Sequence, residues 1–117
     1  MNMPDNCIFC KIMAGEVPAT ILYEDEQVAA IEDINPQAPT HILIFPREHI
    51  RTTLDLTEKD SSLVGHIFQV ASRLAREGGF AENGFRIVNN CNEGAGQSVW
   101  HIHFHLLGGR PMNWPPG

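Results

Sequence analysis

Apolar residues return at three- and four-residue steps from Leu63 through Ile67, Val70 and Ala71 to Leu74, laying one apolar stripe along a helix. Thr57-Glu58-Lys59-Asp60 ahead of it is a capping-box-like start, with acidic residues where the helix dipole favours them. Gly78 and Gly79 supply the stop. Elsewhere the apolar runs are shorter. Ile21 to Tyr23 and Val28 to Glu32 read as strands joined by the acidic turn Glu24-Asp25-Glu26, a hairpin. Two prolines without amide donors make Asn35-Pro36-Gln37-Ala38-Pro39 a loop, after which His41 to Phe45 resumes as a strand ended by Pro46. Phe85 to Asn89 forms another strand, Cys91 to Ser98 a Gly-containing loop, and Val99 to Leu107 a final long strand. Near the start, Ile8 to Ala14 reads as a short helix ended by Gly15. Strands, one long helix, then strands is an α+β order: an antiparallel sheet covered on one side by the helix.

The last strand carries chemistry. In His101-Ile102-His103-Phe104-His105-Leu106-Leu107 the side chains alternate faces, so three histidines share one face and Ile102, Phe104 and Leu106 the other. Neighbours two apart on a strand are separated by roughly 6.5 to 7 Å, room for the rings to surround a small ligand or metal. Two readings follow: three imidazoles holding a catalytic zinc with an open position for water, or one neutral imidazole acting as a nucleophile while its neighbours handle protons and charge. Gly94-Ala95-Gly96-Gln97-Ser98 precedes the strand, and its small residues let backbone amides and the Ser98 hydroxyl approach an anion. That favours a phosphoryl group.

Size and charge narrow the classes. The 117 residues suit one domain spanning residues 1–117, and 43% apolar residues suffice for a core. Eight basic against fourteen acidic residues give a net charge of −6, the wrong sign for coating nucleic acid. No apolar run reaches the about 20 residues needed to cross a bilayer, and Met1 to Asn6 has neither a basic nor an apolar signal segment. The expectation is a cytoplasmic protein with neither nucleic acid nor membrane as partner. Cys7, Cys10 and Cys91 are an odd count, which points to metal or redox chemistry rather than a disulfide framework. Cys7-x-x-Cys10 is half of a possible Cys₂His₂ zinc site; a redox pair and two unrelated buried thiols are the alternatives. Cys91 reads as a loop residue, His66 as an edge histidine of the helix, and Arg47, Arg51 and Arg86 as solvated charge.

The His-x-His-x-His run followed by two apolar residues resembles the signature of the histidine triad family. So do Ile8-Phe9-Cys10-Lys11-Ile12, Asp33 to His41, Gly96-Gln97-Ser98-Val99-Trp100 and the tail Leu107 to Arg110 with Trp114-Pro115-Pro116-Gly117. These segments are similar to its nucleotide-binding branch. The resemblance implies a histidine triad fold, with a five-stranded antiparallel sheet, one long helix and a short N-terminal helix, in a homodimer whose two sheets join. It implies a purine nucleoside phosphoramidase that cleaves the P–N bond of adenosine 5′-phosphoramidate and of AMP–amine conjugates, with AMP or GMP as the bound nucleotide. His103 would attack phosphorus to give a nucleotidyl-histidine, and no cofactor is required for that step. His101 and His105 would position and charge-compensate the phosphate, and His41, brought beside the strand, would complete a tetrad. Ser98 and Asn90 would bond phosphate oxygens or the leaving group. Asp33 would accept the ribose hydroxyls, Phe9 and Ile34 would line the base pocket, and Gly96, Gln97 and Val99 would complete the nucleotide site. Read without the family, Asp33 also suits the start of a turn, and Phe9 and Ile34 also suit a core. The resemblance further pairs Cys7 and Cys10 with His49 and His101 around a structural zinc, and brings the tail, Trp114 included, towards the partner's site. A dinucleoside polyphosphate hydrolase using His103, and a nucleotide-binding adaptor, are the alternative functions.

Overall fold

A computed structural model of the chain describes residues 6–117; the first five residues of the Met1 to Asn6 segment read above lie outside it. Five strands form one sheet in the order β1-β2-β3-β5-β4: β1 (Ile21–Glu24), β2 (Val28–Glu32), β3 (Thr40–Pro46), β4 (Phe85–Val88) and β5 (Phe104–Gly108). Every pairing is antiparallel. Two helices complete the fold, α1 (Ile8–Met13) and α2 (Ser61–Glu77).

The helix stripe does what its spacing predicts. Ile67, Val70, Ala71, Leu74 and Ala75 of α2 are buried against Val28, Ala30, Ile42, Ile44, Phe104 and Leu106, the residues that β2, β3 and β5 send to one face. The Thr57 capping box is present, but it closes a 3₁₀ turn, Glu58–Asp60, and the α-helix begins only at Ser61. Gly78 donates to the Leu74 carbonyl at 2.9 Å, and Gly79 follows at φ +78°, where a side chain would be strained.

The opposite face is covered as well, by the short N-terminal helix. Phe9, Cys10 and Ile12 of α1 pack on Ala29, Ile31, Leu43 and Phe45, and β2 and β3 are consequently buried on both faces. Alternation along β3 is what sorts these residues: Ile42 and Ile44 face α2, whereas His41, Leu43 and Phe45 face α1. The register Leu43↔His105 and His41↔Leu107 then sets His41 diagonally beside His105.

The final strand is shorter than the expected Val99 to Leu107. β5 starts at Phe104 because the ladder ends at Ile44↔Phe104. Beyond that point Pro46 has no N–H to offer, its carbonyl takes the His101 ring, and Ile102 bonds the Ile50 carbonyl at 2.6 Å instead. Facing alternation survives this irregular stretch, with Ile102 on the α2 side and His101 and His103 against Phe9. Among the described residues, no helix is long and apolar enough to cross a membrane.

Candidate active site

Three contacts fix which nitrogens of the histidine cluster carry protons, because a neutral imidazole has one donor and one acceptor. His103 Nδ1 lies 2.8 Å from the His101 carbonyl, which can only accept; Nδ1 is therefore protonated and Nε2 carries the free lone pair. His101 Nε2 lies 2.7 Å from the Pro46 carbonyl, so its lone pair is on Nδ1. His41 Nδ1 accepts from the Gln37 backbone N–H at 3.0 Å, which puts the His41 proton on Nε2, 2.8 Å from His105 Nδ1 and 3.3 Å from an Asp33 oxygen. His105 then presents an Nε2–H.

Burial keeps these rings neutral. It holds His103 and His41 below the ordinary histidine value, with Asp33 opposing in each case. His105 falls to about 4, first through burial and then through the neighbouring His103 and His41 rings. A nucleophile must be unprotonated, and a cluster desolvated in this way supplies that at neutral pH.

His103 and His105 open onto a cleft of about 300 Å³ whose apolar wall includes Phe9, Ile31, Leu43 and Val99, with Asp33 and Ser98 at its polar edges. Phe9 stacks on Phe45 at 4.3 Å and meets the His103 ring edge-on at 5.1 Å, so it belongs to the core and to the cleft wall at once. Ile34 is not core: it stands at the rim, 99% exposed. Asp33 both starts a turn, accepting from Asn35 N–H at 2.8 Å, and faces His41.

The loop residues divide. Ser98 and Val99 line the cleft. Gln97 is buried and committed to the loop itself, its amide oxygen accepting from Asn92 N–H and its amide nitrogen donating to the Arg51 and Val99 carbonyls. Its backbone N–H is spent on Asn92 as well. Gln97 therefore shapes the loop and has no donor left for a nucleotide. Gly96, at φ +89°, likewise serves the turn. Asn90 is half-buried after β4 and off the cleft wall, whereas Asn89, which the sequence reading passed over, donates to the His103 carbonyl at 2.9 Å and accepts from the Thr53 hydroxyl. Successive residues of an extended segment face opposite ways, so neighbouring asparagines take different partners. Gln37 was also invisible in the sequence, since it acts through its backbone.

His101 turns away from the cleft into a second cluster with Cys7, Cys10 and His49. Sγ of Cys7 lies 3.3 Å from His101 Nδ1; Sγ of Cys10 lies 3.6 Å from both His49 Nδ1 and His101 Nδ1; the two nitrogens are 3.1 Å apart. Tetrahedral zinc, with bonds of about 2.3 Å to sulfur and about 2.0 Å to nitrogen, requires edges of about 3.5 Å and about 3.3 Å. The donors fit a zinc ion. The Pro46 carbonyl, by taking the His101 Nε2–H, aims the Nδ1 lone pair inward at the cysteines. Burial and the Cys7 thiol push the Cys10 thiol up to about 12, so a cation is what would make it a ligand. The triad histidines are not gathered into one ligand set: His101 meets the cysteines, His105 meets His41 and Asp33, and His103 stands between. The three-histidine catalytic metal loses its geometric basis. Cys91 is not part of either cluster. His66 pairs with Asp25 at 2.6 Å, pinning α2 to the β1–β2 turn.

Fold and site together define an α+β domain with a histidine cluster set beside an apolar cleft. The sequence model of the HIT domain matches residues 14–112, and the chain belongs to that family, the histidine triad. It is 46% identical over 110 residues to a purine nucleoside phosphoramidase of Escherichia coli K12, covering 94% of this chain and 92% of that one. A 14 kDa zinc-binding protein of Zea mays is 49% identical over 112 residues, 94% and 87% of the two chains. The crystal structure of a HIT family hydrolase from Legionella pneumophila Philadelphia 1 superposes with a TM-score of 0.93 at 54% identity, covering 96% of this chain and all of that one.

Proposed function

We propose that this chain is a purine nucleoside phosphoramidase, hydrolysing the P–N bond of adenosine 5′-phosphoramidate and of AMP–amine conjugates. The observation that carries the reading is the His103 ring: Nδ1–H is tied to the His101 carbonyl, and the unprotonated Nε2 is left to the cleft. In this mechanism the Nε2 lone pair attacks the α-phosphorus, the P–N bond breaks, and its electron pair leaves with the amine, which takes up one proton from water at the Ser98 end. Water then attacks phosphorus, the bond to Nε2 breaks and returns its pair to His103, and the proton that water loses balances the one the amine took. The products are AMP and the amine.

His105 Nε2–H bonds a phosphoryl oxygen, and developing charge there is held by a donor already in place. His41 sets the His105 tautomer through their 2.8 Å contact. Asp33 takes the ribose hydroxyls, Phe9 and Val99 contact the base, and the exposed Ile34 closes over its far side. Cys7, Cys10, His49 and His101 would hold a structural zinc, which would fix His101, the residue whose carbonyl orients His103. The working form is a cytoplasmic homodimer with AMP or GMP as the nucleotide. The test is AMP release from adenosine 5′-phosphoramidate set against diadenosine polyphosphate; preference for the second would assign the dinucleoside hydrolase instead, and tight AMP binding without turnover of either would assign an adaptor.

A further inference from the structure

The direction of the His41–His105 pair is set by the Gln37 N–H on one side of the His41 ring and the Asp33 carboxylate, 3.3 Å from Nε2, on the other. With the Gln37 N–H aimed at His41 Nδ1, the His41 proton must sit on Nε2 and the His105 proton on its cleft-facing nitrogen. Were both rings to take the other tautomer, Nδ1–H of His41 would meet the Gln37 N–H head-on, and His105 would present a lone pair to the cleft, repelling a phosphoryl oxygen. The Pro36–Gln37 peptide that carries this N–H therefore has to be held still, although it lies in a loop between two prolines at the surface.

Arg110, the second residue after β5, anchors the adjoining Gln37–Ala38 peptide, one Cα away. Its Nε and Nη2 donate to the single carbonyl oxygen of Gln37 at 3.2 and 3.0 Å, while Nη1 donates to the Pro111 carbonyl at 3.1 Å and contacts Met112 Sδ at 3.4 Å. The preceding Gly109 is built for this approach. It sits at φ +90°, and a Cβ there would come within 2.8 Å of Pro39 Cβ, in the same loop. On the loop's other side, the Gln37 side chain donates to the Asn35 carbonyl and Asn35 N–H donates to Asp33. Charge-assisted forks of this kind are both stronger and more directional than neutral hydrogen bonds.

We propose that Arg110 is a positioning residue of the active site, acting from outside the cleft through the Gln37 backbone, from its carbonyl across Cα to its N–H, to hold the tautomer of His41 and hence the proton that His105 offers to substrate. The inference rests on the phosphoramidase reading for its effect on rate, but its effect on the imidazoles stands apart from any activity.

The experiment records the ¹⁵N resonances of the His41 and His105 rings in the full-length native protein, Arg110→Ala and Arg110→Lys, with steady-state kinetics on adenosine 5′-phosphoramidate. The native His41 Nδ1 should resonate as an unprotonated ring nitrogen. In Arg110→Ala that signal should move towards the protonated position, with kcat falling about tenfold and KM changing less than about twofold; Arg110→Lys, keeping one donor, should fall between. An unchanged His41 signature in folded Arg110→Ala would overturn the proposal, whatever the rate does. Should Arg110→Ala not fold, Arg110→Lys carries the test, and an unmoved signal there overturns it equally. If neither native protein nor variants turn over the phosphoramidate, the functional reading falls while the tautomer measurement still decides the role of Arg110.

Discussion

At the scale of single residues, the site is a set of rings whose protons are assigned by carbonyls and amides from distant parts of the chain. Buried neutral histidines also tie stability to pH. The folded value of His105 is about 4 against an ordinary 6.5, so the unfolded chain binds more protons between those limits and folding is favoured as pH rises. Its contribution is complete above pH 6.5 and is lost as pH falls through about 4. The urea midpoint should therefore be level above pH 6.5 and decline below it, and His105→Asn, which cannot take the proton, should lessen the slope. The three-histidine face was legible in the sequence because alternation along a strand needs only local spacing. The tautomers were not, because Pro46, His101 and Gln37 set them through backbone atoms that carry no residue-type signal. The Asn89 contact was hidden for a related reason: that its side chain reaches the His103 carbonyl depends on where β4 ends.

Among the elements, α2 and the α2-facing side of the sheet form a tight core that carries stability while leaving the cleft free. Ile67 is 1% exposed in the middle of that core, and Ile67→Ala should lower stability by about 2 to 5 kcal/mol, the range for a buried aliphatic truncated to a methyl. At the end of β5 the constraint is the reverse. A Cβ on Gly108 would lie 2.2 Å from the Phe80 ring, so Gly108→Ala should destabilise by about 1 to 3 kcal/mol through overpacking. Urea unfolding with constant slope checks both, and a Gly108→Ala midpoint equal to the native one would show that Phe80 has room to move. The 3.6-residue stripe of α2 and the β2 run were readable because period and length agree there. The break before β5 was not, since Val99 to His103 has strand-like composition and is displaced only because its partner strand runs out at Pro46.

Across the whole molecule, the sheet separates two jobs: α2 stabilises one face, and α1 brings Cys7, Phe9 and Cys10 to the other, where the zinc-type cluster and the cleft share the His101–His103 peptide. The native protein should accordingly carry about one zinc per chain by elemental analysis. The double variant Cys7→Ser, Cys10→Ser should carry almost none, with a lower thermal midpoint; equal metal in both would reject the site. Because His101 belongs to that cluster and His103 does not, catalysis should need the His103 ring and no metal in the cleft. The direct test is AMP release from adenosine 5′-phosphoramidate by native protein and His103→Ala, each verified as folded and zinc-loaded. We expect native turnover and a loss of about a thousandfold or more in the variant, the scale on which removing a covalent nucleophile acts; a variant that releases AMP at a rate near the native one would contradict nucleophilic catalysis by His103.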